Sequence, residues 1–514
     1  MKSPAIDSHP ILSIEETRSL ETRLFGGDEG REWAAMQAAG RAVAGAALRD
    51  FDEIGGFPPC ARVLVLAGKG HNAGDALIAA RVILERFPRA RAEVVFPFGE
   101  RSFRPLAWRA WRELAECDAK GEGRVSTVTA ASLAGGFDLS LDGIFGFQFR
   151  PPYPPEAARS TAAANRLDVR LRAAVDLPSG LAAKDAFRAD FTYATGAVKE
   201  PLLGCPNAGR PRYLDLGFFN GLEPGDLRVL IPSCLASLAV LRPAVSDKRS
   251  QGHLFVVAGS RGYPGASLMA VLSALRSGVG LVTAFVPESL APGFAARAPE
   301  AMWVGWPETA AGGLASKGRA LLLSRLGRAT ALLIGPGLGR EPETLTLAAD
   351  LARTSTVPLV LDADALHPEI ARACRAPRIC TPHAGEFVRI AGDASLPEAS
   401  RALGGTIVLK GPVTRVSGGG AVYHSFQGGP VLSRGGSGDL LAGLIGGLLA
   451  QVPDDPLGAA CRGVLWHGAA ADALARAHGQ TAVRITQLLD FLAPALREWA
   501  SCQASSPSGR LSSS

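Results

Sequence analysis

The chain has 514 residues, 47% of them hydrophobic and 20% charged, with 60 Gly and 36 Pro. That is long enough for two or three globular domains and too apolar for a disordered or fibrous protein. The net charge of +6 comes with only 6% aromatic residues and no alternation of basic and aromatic side chains, which argues against a nucleic-acid surface. The cysteines include no C-x-x-C pair and the N-terminus has no apolar signal core. The most apolar helix candidate, 440–452, is too short and glycine-rich to span a bilayer. The expectation is a cytoplasmic protein with free thiols and no membrane partner.

Apolar residues at helical spacing predict helices over 13–25 and 32–48. Strands and helices then alternate: strand 61–68, helix 75–87, strand 92–98, helix 106–117, strand 137–143, helix 154–167 and a strand within 169–180. This rhythm predicts a parallel sheet covered by helices. It breaks into turns and prolines around 216–247, which places a domain boundary near 225–240. The rhythm restarts with strands 253–259, 280–286, 331–337, 358–364, 378–383 and 406–411, and with a helix over 265–278. The fold class is α/β with two domains, 1–228 and 229–502, followed by a polar tail, 503–514, expected to be disordered.

In such sheets ligands gather at the carboxyl ends of the strands. The stretch GKGHNAGDAL, 68–77, matches the dinucleotide fingerprint through Gly68, Gly70 and Ala73. That fingerprint also wants an acidic residue about 20 positions on, at the end of the next strand. Glu100 comes too late for this, so the loop does not read as a cofactor loop. Polar groups end three of the strands: Asn72 with Asp75, Asp142, and Asp176 with Ser179. Amide, carboxylate and hydroxyl oxygens are hard ligands that suit a monovalent cation. They serve equally well to satisfy turn backbone, and both readings stay open.

In the second half Gly435, Gly436 and Gly438 precede a helix whose Leu440, Leu441, Leu444, Ile445, Leu448 and Leu449 are expected on one face. Glycines there let backbone N–H groups turn toward an anion at the positive end of the helix. Asp439, in the first turn, is either a capping residue or a base that takes a proton from a hydroxyl during phosphoryl transfer. Lys410 and His383 end strands, where a solvated or structural role competes with a ligand-binding one, and Gly337 permits a turn. Asp362 and Asp364, two apart on the strand expected over 358–364, would point the same way and invite Mg²⁺.

The run G-G-x-G-D before a long helix resembles the ribokinase-like superfamily. HLFVVAGSRGYPGAS, LLIGPGLGR, LVLDADAL, TPHAGEF and VLKGPVT, in this order, resemble the NAD(P)H-hydrate dehydratase family. The first half resembles the NAD(P)H-hydrate epimerase family, and the likeness to their bacterial bifunctional fusion extends over about residues 10–500. The resemblance implies a Rossmann-like three-layer α/β/α epimerase domain followed by a ribokinase-like α/β/α domain. It implies repair of hydrated NADH and NADPH: the R and S hydrates interconvert, and the S hydrate is dehydrated with ADP and Mg²⁺ to NAD(P)H, AMP and phosphate.

By the same resemblance Asp439 contacts the substrate hydroxyl and acts as base, and Ala266, Gly337 and His383 contact the hydrated dinucleotide. Gly438 with Lys410, Gly411, Pro412, Val413 and Thr414 contacts the nucleotide. In the epimerase half Asn72, Asp142 and Ser179 would hold K⁺. Substrate would meet His71, Asn72, Ala73, Gly74, Asp75, Gly146, Phe147, Gln148, Phe149, Arg150, Pro151, Pro152 and Asp176. Asp142 and Asp176 are the carboxylates expected to move protons, with acid and base undivided between them. The family loop reads Asn-Asn-Gly-Gly-Asp-Gly, whereas here His71, Ala73 and Ala76 replace an Asn and two glycines, so added methyls are expected to crowd the loop. A homo-oligomer is the expected assembly. A small-molecule kinase carrying a non-catalytic first domain is the competing reading.

Overall fold

The computed structural model describes residues 6–118, 121–221 and 223–504. The chain divides into two compact units: His9–Gly225 with Ala475–Gln480, and a second built on Asp226–Leu474 with the described residues of its flanking segments. The helix Leu488–Ala504 takes in the first residues of the expected tail, and 505–514 lie outside the described residues.

In the first unit a wholly parallel sheet runs in the order Val125–Val128, Arg91–Val95, Arg62–Ala67, Gly136–Gly143, Asp168–Val175, Phe191–Thr195, Arg210–Leu214. Period-two alternation splits the strand Arg62–Ala67 between two cores. Val63 and Val65 pack with the helices Glu29–Phe51, His71–Arg86 and Pro105–Ala115. Leu64 and Leu66 pack with Ala157 and Ala164 of the helix Pro155–Arg166. The result is three layers, α/β/α. The strand Arg210–Leu214 escapes a hydrophobicity reading because it alternates arginine with other residues. Those arginines are held by Asp50 and Glu53: Arg210 Nη1 lies 2.6 Å from Glu53 Oε2 and Arg212 Nη2 lies 3.2 Å from Asp50 Oδ1. At the edge of the unit Ser8–Leu12 pairs in parallel with Val198–Lys199, Leu12 opposite Lys199.

In the second unit the sheet runs Met302–Trp306, Leu281–Pro287, His253–Val257, Ala331–Ile334, Leu359–Leu361, Arg378–Cys380, Thr406–Leu409, all parallel. It continues through the antiparallel strands Thr414–Ser417 and Val422–Ser425 to Leu227–Leu230, a strand within the segment where turns were expected. The helix Ser437–Gln451 differs from the one-faced helix expected: every residue from 440 to 450 is buried, as befits a helix that is apolar or small all round. Glycines let it lie close against Pro264–Arg276, since a Cβ on Gly443 would sit 2.0 Å from the carbonyl oxygen of Ala270. Among the described residues no helix is long and apolar enough to cross a membrane, and the described cysteines are free thiols.

Candidate active sites

The first unit holds a cavity of about 660 Å³ at the carboxyl ends of its strands. One wall is the start of the helix His71–Arg86, which begins at Gly70, so residues 71–75 are its first turns rather than a loop. His71, Asn72 and Asp75 face the cavity. Ala73 and Ala76 are fully buried on the other side, and a Cβ on Gly143 would sit 2.6 Å from the Ala76 methyl and 3.3 Å from the Ala73 Cα. The Ala76 methyl therefore fills space left by Gly143, and neither Ala73 nor Ala76 lines the cavity. Gly74 does not line the cavity and faces the sulfur of Met36, which does.

An adjoining wall is the segment after the strand Gly136–Gly143. Gly146, Phe147, Gln148 and Phe149 line the cavity, while Arg150, Pro151 and Pro152 are exposed beyond it. Gly146 needs its bare backbone: an added Cβ would fall 2.9 Å from Asp176 Oδ2 and 3.3 Å from Asn72 Oδ1.

Beneath this wall Asp142 is fully buried and does not reach the cavity. Its Oδ1 accepts the Ser179 hydroxyl at 2.7 Å and the Ile144 N–H at 3.2 Å, and its Oδ2 accepts the Ser179 N–H at 2.7 Å. Burial pushes its carboxyl up to about 6, against the pull of those hydrogen bonds. Ser179 also accepts the Phe145 N–H at 2.9 Å. The amide nitrogen of Asn72 is buried without a hydrogen-bond partner.

Asp176 does reach the cavity. It takes the left-handed conformation, φ 67°, uncommon for a residue with a side chain. Its Oδ2 accepts the Phe147 N–H at 2.9 Å and its Oδ1 forms an ion pair with Lys199. The Lys199 ammonium donates to the carbonyl of Thr195 at 2.9 Å. Asp75 is 9% exposed, and burial together with the neighbouring Asp176 raises its carboxyl well above the usual range. Glu21, from the helix Ile14–Phe25, lines the same cavity and is raised to about 7, chiefly by burial. His71 lies 3.6 Å from Glu32 and is lowered by burial. The sequence alone gives no sign of Lys199, Glu21 or Glu32. No motif surrounds them, and only the fold brings them to the strand ends.

The second site gathers the remaining motifs. Gly436, φ 94°, caps the helix Ser437–Gln451, and the leading N–H groups of such a helix have no partner within it. Asp439 sits half-buried in that first turn, and its carboxyl is pushed up to about 7 by burial and by Asp362 against the pull of Lys410. A Cβ on Gly438 would lie 3.2 Å from the Lys410 ammonium, so cradle and cation are adjacent. The main chain of Lys410 pairs with the segment before His383, its N–H on the Pro382 carbonyl at 2.8 Å.

His383 caps its own helix, Ala384–Ala391, with Nδ1 accepting the Gly385 N–H at 3.0 Å; Nε2 lies 3.5 Å from Glu386 Oε1. Gly337, φ 65°, packs on Ala266: a Cβ there would fall 2.9 Å from the Ala266 methyl. Gly411 and Pro412 are exposed, Val413 is half-buried, and Thr414 opens the antiparallel strand.

Asp362 and Asp364 do not share a face. The strand ends at Leu361, and Ala363 turns the chain at φ 51°. Asp362 is held by Lys410 at 3.0 Å and by the Thr381 hydroxyl at 2.7 Å. Asp364 accepts the Gly339 N–H at 3.0 Å and pairs with Arg340 at 3.3 Å. The paired-carboxylate Mg²⁺ site expected from period two is thus replaced by two separate networks.

A profile described as YjeF-related protein N-terminus matches residues 33–200, and one described as NAD(P)H-hydrate dehydratase matches residues 254–494. The bifunctional NAD(P)H-hydrate repair enzyme Nnr of Gloeobacter violaceus is 38% identical, over 91% of this chain and 94% of its own. The chain belongs to the bifunctional NAD(P)H-hydrate repair enzyme family. The relative of the same name from Moorella thermoacetica is 34% identical over 85% of this chain and 87% of its own. Among solved structures, a ribokinase-like superfamily protein of Enterococcus faecalis is 27% identical, with 54% of this chain and 98% of that one covered and a TM-score of 0.48. The ADP/ATP-dependent NAD(P)H-hydrate dehydratase of Bacillus subtilis is 29% identical, with 52% and 97% covered and a TM-score of 0.43. As in other bifunctional NAD(P)H-hydrate repair enzymes, both halves are present. The first match spans the strand-end carboxylates and Lys199 but begins after Glu21; the second spans Lys410 and Asp439.

Proposed function

We propose that the chain repairs hydrated NADH and NADPH. The first unit interconverts the R and S hydrates, and the second dehydrates the S hydrate with ADP. The observation that carries this reading is Asp439, a half-buried carboxyl raised to about 7 at the glycine-cradled head of a helix, beside Lys410.

In the dehydratase Asp439 takes the proton of the substrate hydroxyl as the oxygen attacks the terminal phosphoryl group of ADP, releasing AMP. Phosphate then leaves with its C–O bond while a proton is lost from the neighbouring ring carbon, and the ring double bond reforms. The helix head and Lys410 face the phosphate charge, in the manner of other electrostatic cradles. Ala266, Gly337 and His383 form the dinucleotide side, and Lys410, Gly411, Pro412, Val413, Thr414 and Gly438 the nucleotide side. With Asp362 and Asp364 each engaged elsewhere, these residues do not build a Mg²⁺ site of their own. Mg²⁺ fits as a companion of the nucleotide phosphates.

In the epimerase Asn72, Asp142 and Ser179 suit K⁺ by their oxygens: one buried carboxylate beside a neutral hydroxyl, with the Asn72 amide oxygen close by the Gly146 segment. Bound there, K⁺ would supply a fixed positive charge beneath the Gly146 segment. His71, Asn72, Asp75, Gly146, Phe147, Gln148, Phe149 and Asp176 present the substrate surface. We also infer a cytoplasmic homo-oligomer.

The test is incubation of the purified chain with hydrated NADPH and ADP, followed by the return of reduced-nicotinamide absorbance. The S hydrate alone should recover through the second unit, and material enriched in the R form should recover through both. No recovery of either epimer would overturn the assignment.

A further inference from the structure

The cavity of the first unit is lined by several ionisable groups. Asp75 and Asp176 both line it, the first on the helix His71–Arg86 and the second just beyond the strand Asp168–Val175. Their surroundings differ. Asp176 has an ammonium on one oxygen and a backbone N–H on the other, with its side chain 6% exposed and that of Lys199 5% exposed. Such a pair favours the carboxylate. Among the described residues Asp75 has no ion pair of its own; Asp176 acts on it as a like charge, the same Lys199 as an opposite one, and Glu21 as a further like charge. Two carboxyls that close, with one ammonium committed to one of them, leave the proton on the other. The remaining charged groups of the cavity, Glu32, His71, Arg18, Lys69 and Arg104, complete its lining.

We propose that Asp75 is the acid and Asp176 the base of hydrate epimerisation, and that Lys199 is the positioning residue that divides these roles by holding Asp176 as the carboxylate. The assignment rests on the epimerase reading above. It differs from the expectation that paired Asp142 with Asp176, because Asp142 lies under the wall with its oxygens occupied by Ser179 and Ile144.

The step balances. The hydroxyl-bearing ring carbon is bonded to the ring nitrogen, so the nitrogen lone pair forms a C=N⁺ bond as the C–O bond breaks. Asp75 gives its proton to the departing oxygen, which leaves as water. Water then adds to the same carbon from the other face, the C=N⁺ electrons return to nitrogen, and the proton lost by the added water goes to Asp176. Proton return from Asp176 to Asp75 through cavity water restores the site. The reverse reaction runs the same steps backward, with no redox change.

Lys199 reaches this position through register. The short strand Val198–Lys199 pairs with Ser8–Leu12, Leu12 opposite Lys199, and the ammonium is anchored on the Thr195 carbonyl.

The experiment follows R-to-S conversion of hydrated NADPH by the full-length chain, without ADP, across pH 5–9. Asp75→Asn should slow conversion by at least about 100-fold, the usual span of a general acid. Lys199→Met should lower kcat for conversion by about 10-fold or more with KM little changed, because Asp176 loses the ammonium that holds it. Lys199→Arg should restore kcat toward wild type. Conversion by Asp75→Asn within a few-fold of wild type overturns the acid assignment. A kcat for Lys199→Met within a few-fold of wild type, or an equal loss in Lys199→Arg, reduces Lys199 to a structural role. Absence of conversion in the wild type instead overturns the epimerase reading itself, so the two failures are distinguishable.

Discussion

The Lys410 ammonium lies 3.0 Å from Oδ1 of Asp362, a carboxylate that is 1% exposed and also accepts the Thr381 hydroxyl. The contact points a cation at the Gly438 cradle from a strand end and keeps a buried anion compensated. Removing one partner of a buried pair typically costs about 3–5 kcal/mol, because the other charge is left without compensation. Lys410 is partly exposed, so Lys410→Met should fall at or below the low end of that range in urea unfolding, and it should raise KM for ADP more than it lowers kcat. Asp362→Asn, which keeps an acceptor for Thr381, should be milder in unfolding. An unchanged KM for ADP in Lys410→Met would remove Lys410 from the nucleotide site.

Asp439 gives the dehydratase a pH signature. With the carboxyl raised to about 7, the base is protonated below that value. Dehydration of the S hydrate should therefore lose rate on the acid side with a midpoint near pH 7. Asp439→Asn should abolish dehydration while R-to-S conversion continues. The sign for stability is opposite to that of a salt-bridged aspartate. Between about pH 4 and about 7 the folded chain keeps a proton that the unfolded chain has released, so the wild type loses stability as pH rises through that window. Asp439→Asn has no such loss: its thermal midpoint should match wild type near pH 4 and exceed it at pH 8. Equal midpoints at pH 8 would show that the carboxyl is not strained by burial.

The close approach of two helices in the second unit makes another measurable claim. Gly443→Ala adds a methyl that would fall 2.0 Å from the Ala270 carbonyl oxygen, a backbone atom that cannot swing aside. Alanine gains about 1 kcal/mol in helix propensity over glycine, while overpacking costs about 1–3 kcal/mol or more. At this separation the steric cost wins. Unfolding of the second unit should shift to lower urea, with R-to-S conversion by the first unit unaffected. A more stable Gly443→Ala variant would mean that the helices separate readily.

Much of this architecture was readable from periodicity, because buried parallel strands appear as apolar runs and their ends carry the polar groups. Asn72, Asp75, Asp176 and Asp439 could be found that way. The helix start at His71 could not. Asn72 and Gly74 favour turns locally, and only the packing of Ala73 and Ala76 on Gly143 with Gly74 on Met36 draws them into a helix. Arg210 and Arg212 concealed a strand because their neutralisation by Glu53 and Asp50 is tertiary. The separation of Asp362 from Asp364 depends on a left-handed alanine at 363, which no local pattern announces. Lys199 acquires its significance through strand register and an ion pair across the fold, so its sequence neighbours carry no sign of it.

K⁺ should be visible without any turnover. Asp142 is fully buried, and burial raises its carboxyl to about 6, so at pH 8 the chain holds an anion with Ser179 and Ile144 as its donors among the described residues. A cation that binds the folded chain and not the unfolded one stabilises it in proportion to the logarithm of its concentration above Kd. At pH 8 and constant ionic strength, replacing choline by K⁺ should raise the thermal midpoint of the first unit, and R-to-S conversion should rise with it. Asp142→Ala should lose both responses while dehydration of the S hydrate continues in the second unit. Ser179→Ala, which removes one neutral oxygen and one donor to Asp142, should weaken the response without abolishing it. If Asp142→Ala unfolds the first unit, Asn72→Ala provides a second route, because its amide borders the Gly146 wall without supporting Asp142 by a hydrogen bond. Persistence of the K⁺ response in both Asp142→Ala and Asn72→Ala would place the ion elsewhere.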